Sequence, residues 1–169
     1  MPRQNQQSPN HLAFTYKYNG RARQLITDAC IESGTSQYPI KTALWDTGAT
    51  NTCISDNVVK ALNLVPTGKG EIHTPSGSKI VNTYLVDIYL PNKVKIAGTV
   101  VNGTDIGDQG IDLLVGMDII ALGDFAISQY GGVTTFSFCF PSIRQIDYVK
   151  EINIMRTVGP QHGKGKRKR

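Results

Sequence analysis

The chain has 169 residues, 40% of them hydrophobic and 18% charged, a globular composition with material for one domain and short flanking segments. Its net charge of +5 is concentrated at one end, in Lys164, Lys166, Arg167, Lys168 and Arg169; without these, 13 basic residues face 13 acidic ones. A neutral body excludes a broad basic face for nucleic acid, and no apolar run approaches the roughly 20 residues that span a bilayer.

Residues 1–11, rich in Gln, Asn, Ser and Pro, have little to bury and are expected to be disordered. They carry no apolar segment of a secretory signal. LAFTYKY alternates apolar and polar residues up to the turn Asn19-Gly20, which predicts a strand. RQLITDACIES and YPIKTALW predict two more strands around the loop GTSQ, the second running straight into Asp46. A short helix follows, capped by Ser55 or Asp56, with Val58, Val59, Leu62 and Leu64 on its apolar side and Pro66 ending it. GKGEIHTPSGSKIVNTYLVDIYL reads as a long hairpin turning at TPSGS, where Pro75 and Gly77 supply the turn chemistry.

After Pro91-Asn92, KVKIAGTVVN is a strand and GTDIGDQG a loop. Asp105, Asp108 and Asp112 do not have the spacing of an EF-hand loop, and a solvated acidic turn is expected there. IDLLVG is an apolar strand, and MDIIALG one or two helical turns. DFAIS and VTTFSFCF are strands joined by Gln129–Gly132. Beyond Pro141 the pattern fades into a short helix or arm. The count is eight or nine strands and at most two short helices, an all-β domain over 12–140. An arm or helix over 141–158 and a disordered basic tail over 159–169 complete the chain.

Cys30, Cys53 and Cys139 are odd in number and lack metal-ligand spacing, so reduced core thiols in a cytoplasmic protein are expected. His11, His73 and His162 show no ligand pattern, and no metal or cofactor is expected.

The chemistry concentrates in ALWDTGATNTCIS, residues 43–55. A buried strand delivers Asp46 into a tight loop, Thr47 offers a hydroxyl, and Gly48 has no Cβ to keep backbone apart. Further along comes DLLVGMD, an apolar strand ending in Gly116, and between the two motifs lies the glycine-tipped hairpin. Asp-Thr-Gly occurs once.

ALWDTGAT, the hairpin and LLVG before a short helix resemble the retropepsins, the retroviral-type aspartic proteases and their bacterial and eukaryotic cellular relatives. The resemblance covers about residues 22–140. It implies a single-lobe, closed, barrel-like fold that works as a homodimer, each chain giving one aspartate at the two-fold axis. It implies an aspartic endopeptidase in which Asp46 is the catalytic acid and base. Thr47 would grip across the dimer axis, and Gly48 would contact substrate backbone. A flap from about Ile72 to Ile80 would close on the peptide. Substrate contacts would come from Ala49, Thr50, His73, Thr74, Pro75, Ser76, Gly77, Ser78, Val115 and Gly116, with Leu114, Val115 and Gly116 also supporting the loop. The partners would be a second copy and an extended peptide or protein substrate.

Two positions depart from the viral pattern. Thr50 and Met117 stand where viral enzymes often carry a paired acid and arginine, and Met117-Asp118 looks closer to the cellular relatives. Viral dimers also knit their termini into a shared sheet; VTTFSFCF could supply such a strand here. The alternative reading is a catalytically weak retropepsin-fold dimer that holds peptides.

Overall fold

The computed structural model describes residues 10–74 and 77–158. The expected disordered termini therefore lie largely outside the described residues, as do Pro75 and Ser76 at the hairpin tip. Ten strands are present, more than the sequence pattern suggests: β1 (Leu12–Lys17), β2 (Leu25–Ser33), β3 (Ser36–Trp45), β4 (Cys53–Ser55), β5 (Gly68–Thr74), β6 (Gly77–Tyr89), β7 (Lys95–Thr104), β8 (Leu113–Val115), β9 (Asp124–Ser128) and β10 (Thr135–Phe140). The unexpected strand is β4, whose three residues are too few to show alternation. Three α-helices accompany them among the described residues: α1 (Asp56–Ala61) and α2 (Met117–Ile120) in the domain, and α3 (Tyr148–Val158) within the segment expected to be an arm or short helix.

Seven strands form one sheet in the order β2-β3-β8-β4-β7-β6-β5, and β2 also pairs with β6. That extra pairing closes the first six strands into a ring. β5 stays outside the ring, and among the described strands it pairs with β6 alone. The ring encloses the core: Ile31, Ala43, Ile54, Ile88, Val101, Leu113 and Val115 have no exposed surface. β6 is the long connector, pairing with β5 near its start and with β2 and β7 near its end.

A second sheet, β1-β10-β9, packs an aromatic layer against the ring. Phe136 lies 5.0 Å from both Trp45 and Phe125 and 5.5 Å from Phe14 between ring centroids. The Trp45 indole N–H donates to the buried Thr27 hydroxyl at 3.0 Å, so its one polar atom is satisfied. Trp45 immediately precedes Asp46, and this layer therefore fixes where the Asp-Thr-Gly loop leaves the core.

α1 begins at Ser55, whose side chain accepts from the Val58 N–H, and Val58 is fully buried beneath it. α3 is exposed along its described side chains. Among the described residues no helix is long and apolar enough to cross a membrane.

The aromatic layer yields a direct test. Phe136→Ala removes a fully buried ring and should cost about 3–5 kcal/mol of stability, read from the urea midpoint at unchanged slope. A midpoint within error of wild type would contradict this core.

Candidate active site

The Asp-Thr-Gly loop is held from beneath by β8. The Asp46 N–H donates to the Val115 carbonyl at 3.0 Å, and β3 runs parallel to β8 with Trp45 opposite Val115. The loop then folds on itself: the Ala49 N–H donates to the Asp46 carbonyl at 3.2 Å, and the Gly48 N–H donates to Asp46 Oδ1 at 2.8 Å. Asp46 is half-buried and Thr47 exposed. Among the described residues no side chain pairs with the Asp46 carboxylate, and the Thr47 hydroxyl makes no hydrogen bond. A Cβ on Gly48 would stand 3.2 Å from Asp46 Oδ1, so glycine lets the carboxylate and the backbone share this turn.

The far side of the loop is locked to the start of α2. The Met117 N–H donates to the Ala49 carbonyl at 2.8 Å, and the Asp118 N–H donates to the Thr50 carbonyl at 3.1 Å. The Asp118 carboxylate answers by accepting from the Thr52 N–H at 2.8 Å and the Thr52 hydroxyl at 2.7 Å, and from the Ile119 N–H at 2.9 Å. Thr52 Oγ1 also accepts from the Gly116 N–H at 3.1 Å, and Thr52 has no exposed surface. Gly116 is required by space: a Cβ there would lie 2.6 Å from the carbonyl carbon of Asn51 and 2.8 Å from its oxygen.

A cleft of about 210 Å³ opens beside the loop. Gly48, Ala49 and Thr50 line it from the loop, Asn51 and Cys53 from the run into β4, Glu71, Ile72 and His73 from β5, and Asn102 from β7. A larger hollow of about 600 Å³ lies along α3. It is bounded by that helix and the residue before it, and holds none of the loop residues, so the smaller cleft is the candidate site.

The expected site residues thus divide. Gly48, Ala49, Thr50 and His73 meet around the cleft. The His73 ring shares a hydrogen bond of 2.7 Å with the Ser78 hydroxyl across the β5–β6 hairpin, next to the pair Thr74 and Gly77. Gly77 has a φ of +121°, a conformation that glycine adopts without strain. Val115 and Gly116, expected among the substrate contacts, are buried beneath the loop. There they support it from below.

The sequence pattern did not single out Thr52, Asp118 or Asn102. The available signal was Asp118 itself, a carboxylate two residues after a glycine and in the first turn of a helix.

Cys53 is half-buried rather than a core thiol, as are Cys30 and Cys139. Burial pushes the Cys53 thiol up to about 11, and the Asp118 charge adds to that. Such a thiol is no nucleophile at neutral pH. Among the described residues no three His, Cys, Asp or Glu side chains gather as a metal site.

Comparison with known proteins agrees with this geometry. A family model described as Aspartyl protease matches residues 27–119, over half of the chain, and the chain belongs to that family. No curated protein matches it. A retropepsin-like aspartic protease from Rickettsia conorii superposes with a TM-score of 0.53 at 14% identity, covering 77% of this chain and 95% of that one. The fold is retropepsin-like. The solution structure of Simian Foamy Virus (mac) protease aligns with a TM-score of 0.41 at 20% identity, over 57% of this chain and 92% of that one.

Two outcomes are expected from the site. Asp118→Ala strips three donors of their acceptor and should cost about 2–3 kcal/mol, the scale of a charge-assisted bond lost with a donor left unmet; urea denaturation measures it, and a neutral result would mean that the clamp contributes nothing. The Cys53 thiol, shifted from 9.0 to about 11, should react with iodoacetamide at pH 8 about a hundredfold more slowly than free cysteine, since only the thiolate attacks. Peptide mapping after timed alkylation reads this rate; alkylation as fast as free cysteine would contradict the burial.

Proposed function

We propose that the protein is an aspartic endopeptidase whose site is assembled from two copies of the chain, with Asp46 of each facing the other. One observation carries this reading. The loop that presents Asp46 is locked by six backbone and side-chain hydrogen bonds from β8, Thr52 and α2, yet among the described residues one oxygen of the carboxylate has no partner, and Asp46 is only half-buried. A structural aspartate would be satisfied within its own chain. This one is rigidly held and only half paired.

The chemistry follows from two facing carboxylates. Like charges a few ångströms apart cannot both stay ionised, so the pair shares one proton. The ionised member takes a proton from water as its oxygen attacks the peptide carbonyl carbon. The protonated member donates to the carbonyl oxygen, giving a tetrahedral diol. Its collapse breaks the C–N bond: one carboxyl protonates the leaving nitrogen while the other carboxylate takes the proton of a diol hydroxyl, so the product is an acid and an amine and the pair again holds one proton. The substrate strand lies between the loop and the β5–β6 hairpin, which covers it and excludes water.

The open strand edge supports a way for the dimer to close. β10 has β1 on one side and β9 on the other, so this strand, TFSFCF, has no edge left for a partner. β9 is bonded on one side only, among the described residues, and Phe125 on it touches Trp45 beside the site. Pairing β9 with its copy across the two-fold axis would join two three-stranded sheets into one. Ile127, 45% exposed on β9, would be covered by the same contact.

Asp46→Asn should abolish turnover on a peptide library while leaving the fold intact, because the amide keeps the shape but cannot shuttle the proton. Mixed with an equal amount of this variant, wild type should lose about half its activity per active chain through random pairing into dead heterodimers. Cleavage by the variant, or indifference of wild type to it, would overturn the two-chain site.

A further inference from the structure

Of the polar side chains that line this cleft, Thr50, Asn51, Glu71, His73 and Asn102, only Asn102 is buried. It sits on β7 opposite Thr83 of β6 and beside Cys53 of β4, and it is only 5% exposed. A carboxamide offers two N–H donors and a carbonyl with two lone pairs. Among the described residues no side chain donates to or accepts from its carboxamide within ordinary hydrogen-bond geometry, and the neighbouring Cys53 thiol donates instead to the Asn51 carbonyl at 3.6 Å, which leaves most of this capacity unused. No buried side-chain N or O atom is without a partner among the described residues. The unused capacity is therefore not sealed inside the protein but reaches the cleft that Asn102 lines.

The surroundings are shaped to hold the amide there. A Cβ on Gly70 would come within 2.6 Å of Asn102 Oδ1 and 3.1 Å of the Thr83 methyl. Glycine on β5 leaves the space that the carboxamide fills. An aliphatic residue at position 102 would give an apolar pocket between Ile72 and the half-buried Cys53. The chain instead puts a hydrogen-bonding group there, and an unmet amide in a partly dry pocket favours a ligand that supplies what water would otherwise supply.

From this we infer that Asn102 determines specificity: the cleft selects substrate residues with an amide or hydroxyl side chain, Asn, Gln, Ser or Thr, over aliphatic ones of the same size. This inference rests on the endopeptidase reading. A two-fold dimer carries the pocket twice, so the selection falls at symmetric positions on either side of the cut bond.

The experiment uses the full chain and a diverse peptide library, with cut sites read by mass spectrometry. From the best-cut sequence, matched peptides carrying Asn or Leu, and Thr or Val, at the selected position are compared by kcat/KM. Wild type should favour the polar member roughly tenfold, the scale of one hydrogen bond made or left unmade. Asn102→Leu should reverse the order. Gly70→Ala, which pushes the carboxamide aside without changing it, should erase the preference and guards against a misfolded Asn102→Leu protein. Aliphatic selection by wild type, or equal losses on both peptides in the variants, would overturn the role of Asn102 while leaving the protease reading intact. A library left uncut by wild type would overturn the protease reading, and this inference with it.

Discussion

The Asp118 carboxylate accepts three hydrogen bonds from two segments that are far apart in sequence, and the rest of the site is arranged around that convergence. Thr52 lies just after the Asp-Thr-Gly loop and Ile119 just after the β8 strand. By taking the Thr52 N–H and hydroxyl together with the Ile119 N–H, Asp118 ties the exit of one segment to the start of the helix that follows the other. The backbone returns the tie through Met117 and Asp118, whose N–H groups donate to Ala49 and Thr50. This closeness is possible only because Gly116 lacks a Cβ. A loop bound on both sides in this way cannot relax its aspartate toward a partner in its own chain.

That rigidity gives meaning to what the single chain leaves open. The exposed Thr47 hydroxyl, the half-paired Asp46 carboxylate and the uncovered edge of β9 are each costly or pointless in isolation, since open strand edges invite unwanted pairing. A second copy related by a two-fold axis would address all three at once. The aromatic layer matters here because Trp45 touches both Phe125 of β9 and the Phe136 ring, so the open edge and the Asp-Thr-Gly loop are positioned by one packed cluster.

Much of this was legible in the sequence, for local reasons. A strand running into Asp-Thr-Gly, a glycine-tipped hairpin and an apolar strand ending in glycine are short patterns, and each stands where the residues suggested. The missing parts depend on contacts between residues distant in sequence. Thr52 and Asp118 are 66 residues apart, and neither breaks any periodicity. β4 has three residues, below the length at which alternation can be seen. Asn102 reads as an ordinary polar position on a strand, and only the ring of strands reveals that it faces a cleft. The family resemblance implies a substrate contact for Val115, whereas burial puts it beneath the loop.

The ring of six strands closes without β5, and this has a dynamic consequence. Opening β5 breaks one ladder and exposes little of the enclosed core, so its free energy falls well below that of global unfolding. The β5 amides should then exchange with solvent through local detachment, while those of β8 and the centre of β6 exchange only when the ring itself opens. The molecule is built as two cooperative units of unequal stability: a durable vessel that keeps Asp46 in place, and a strand that can part from it many times without endangering the fold.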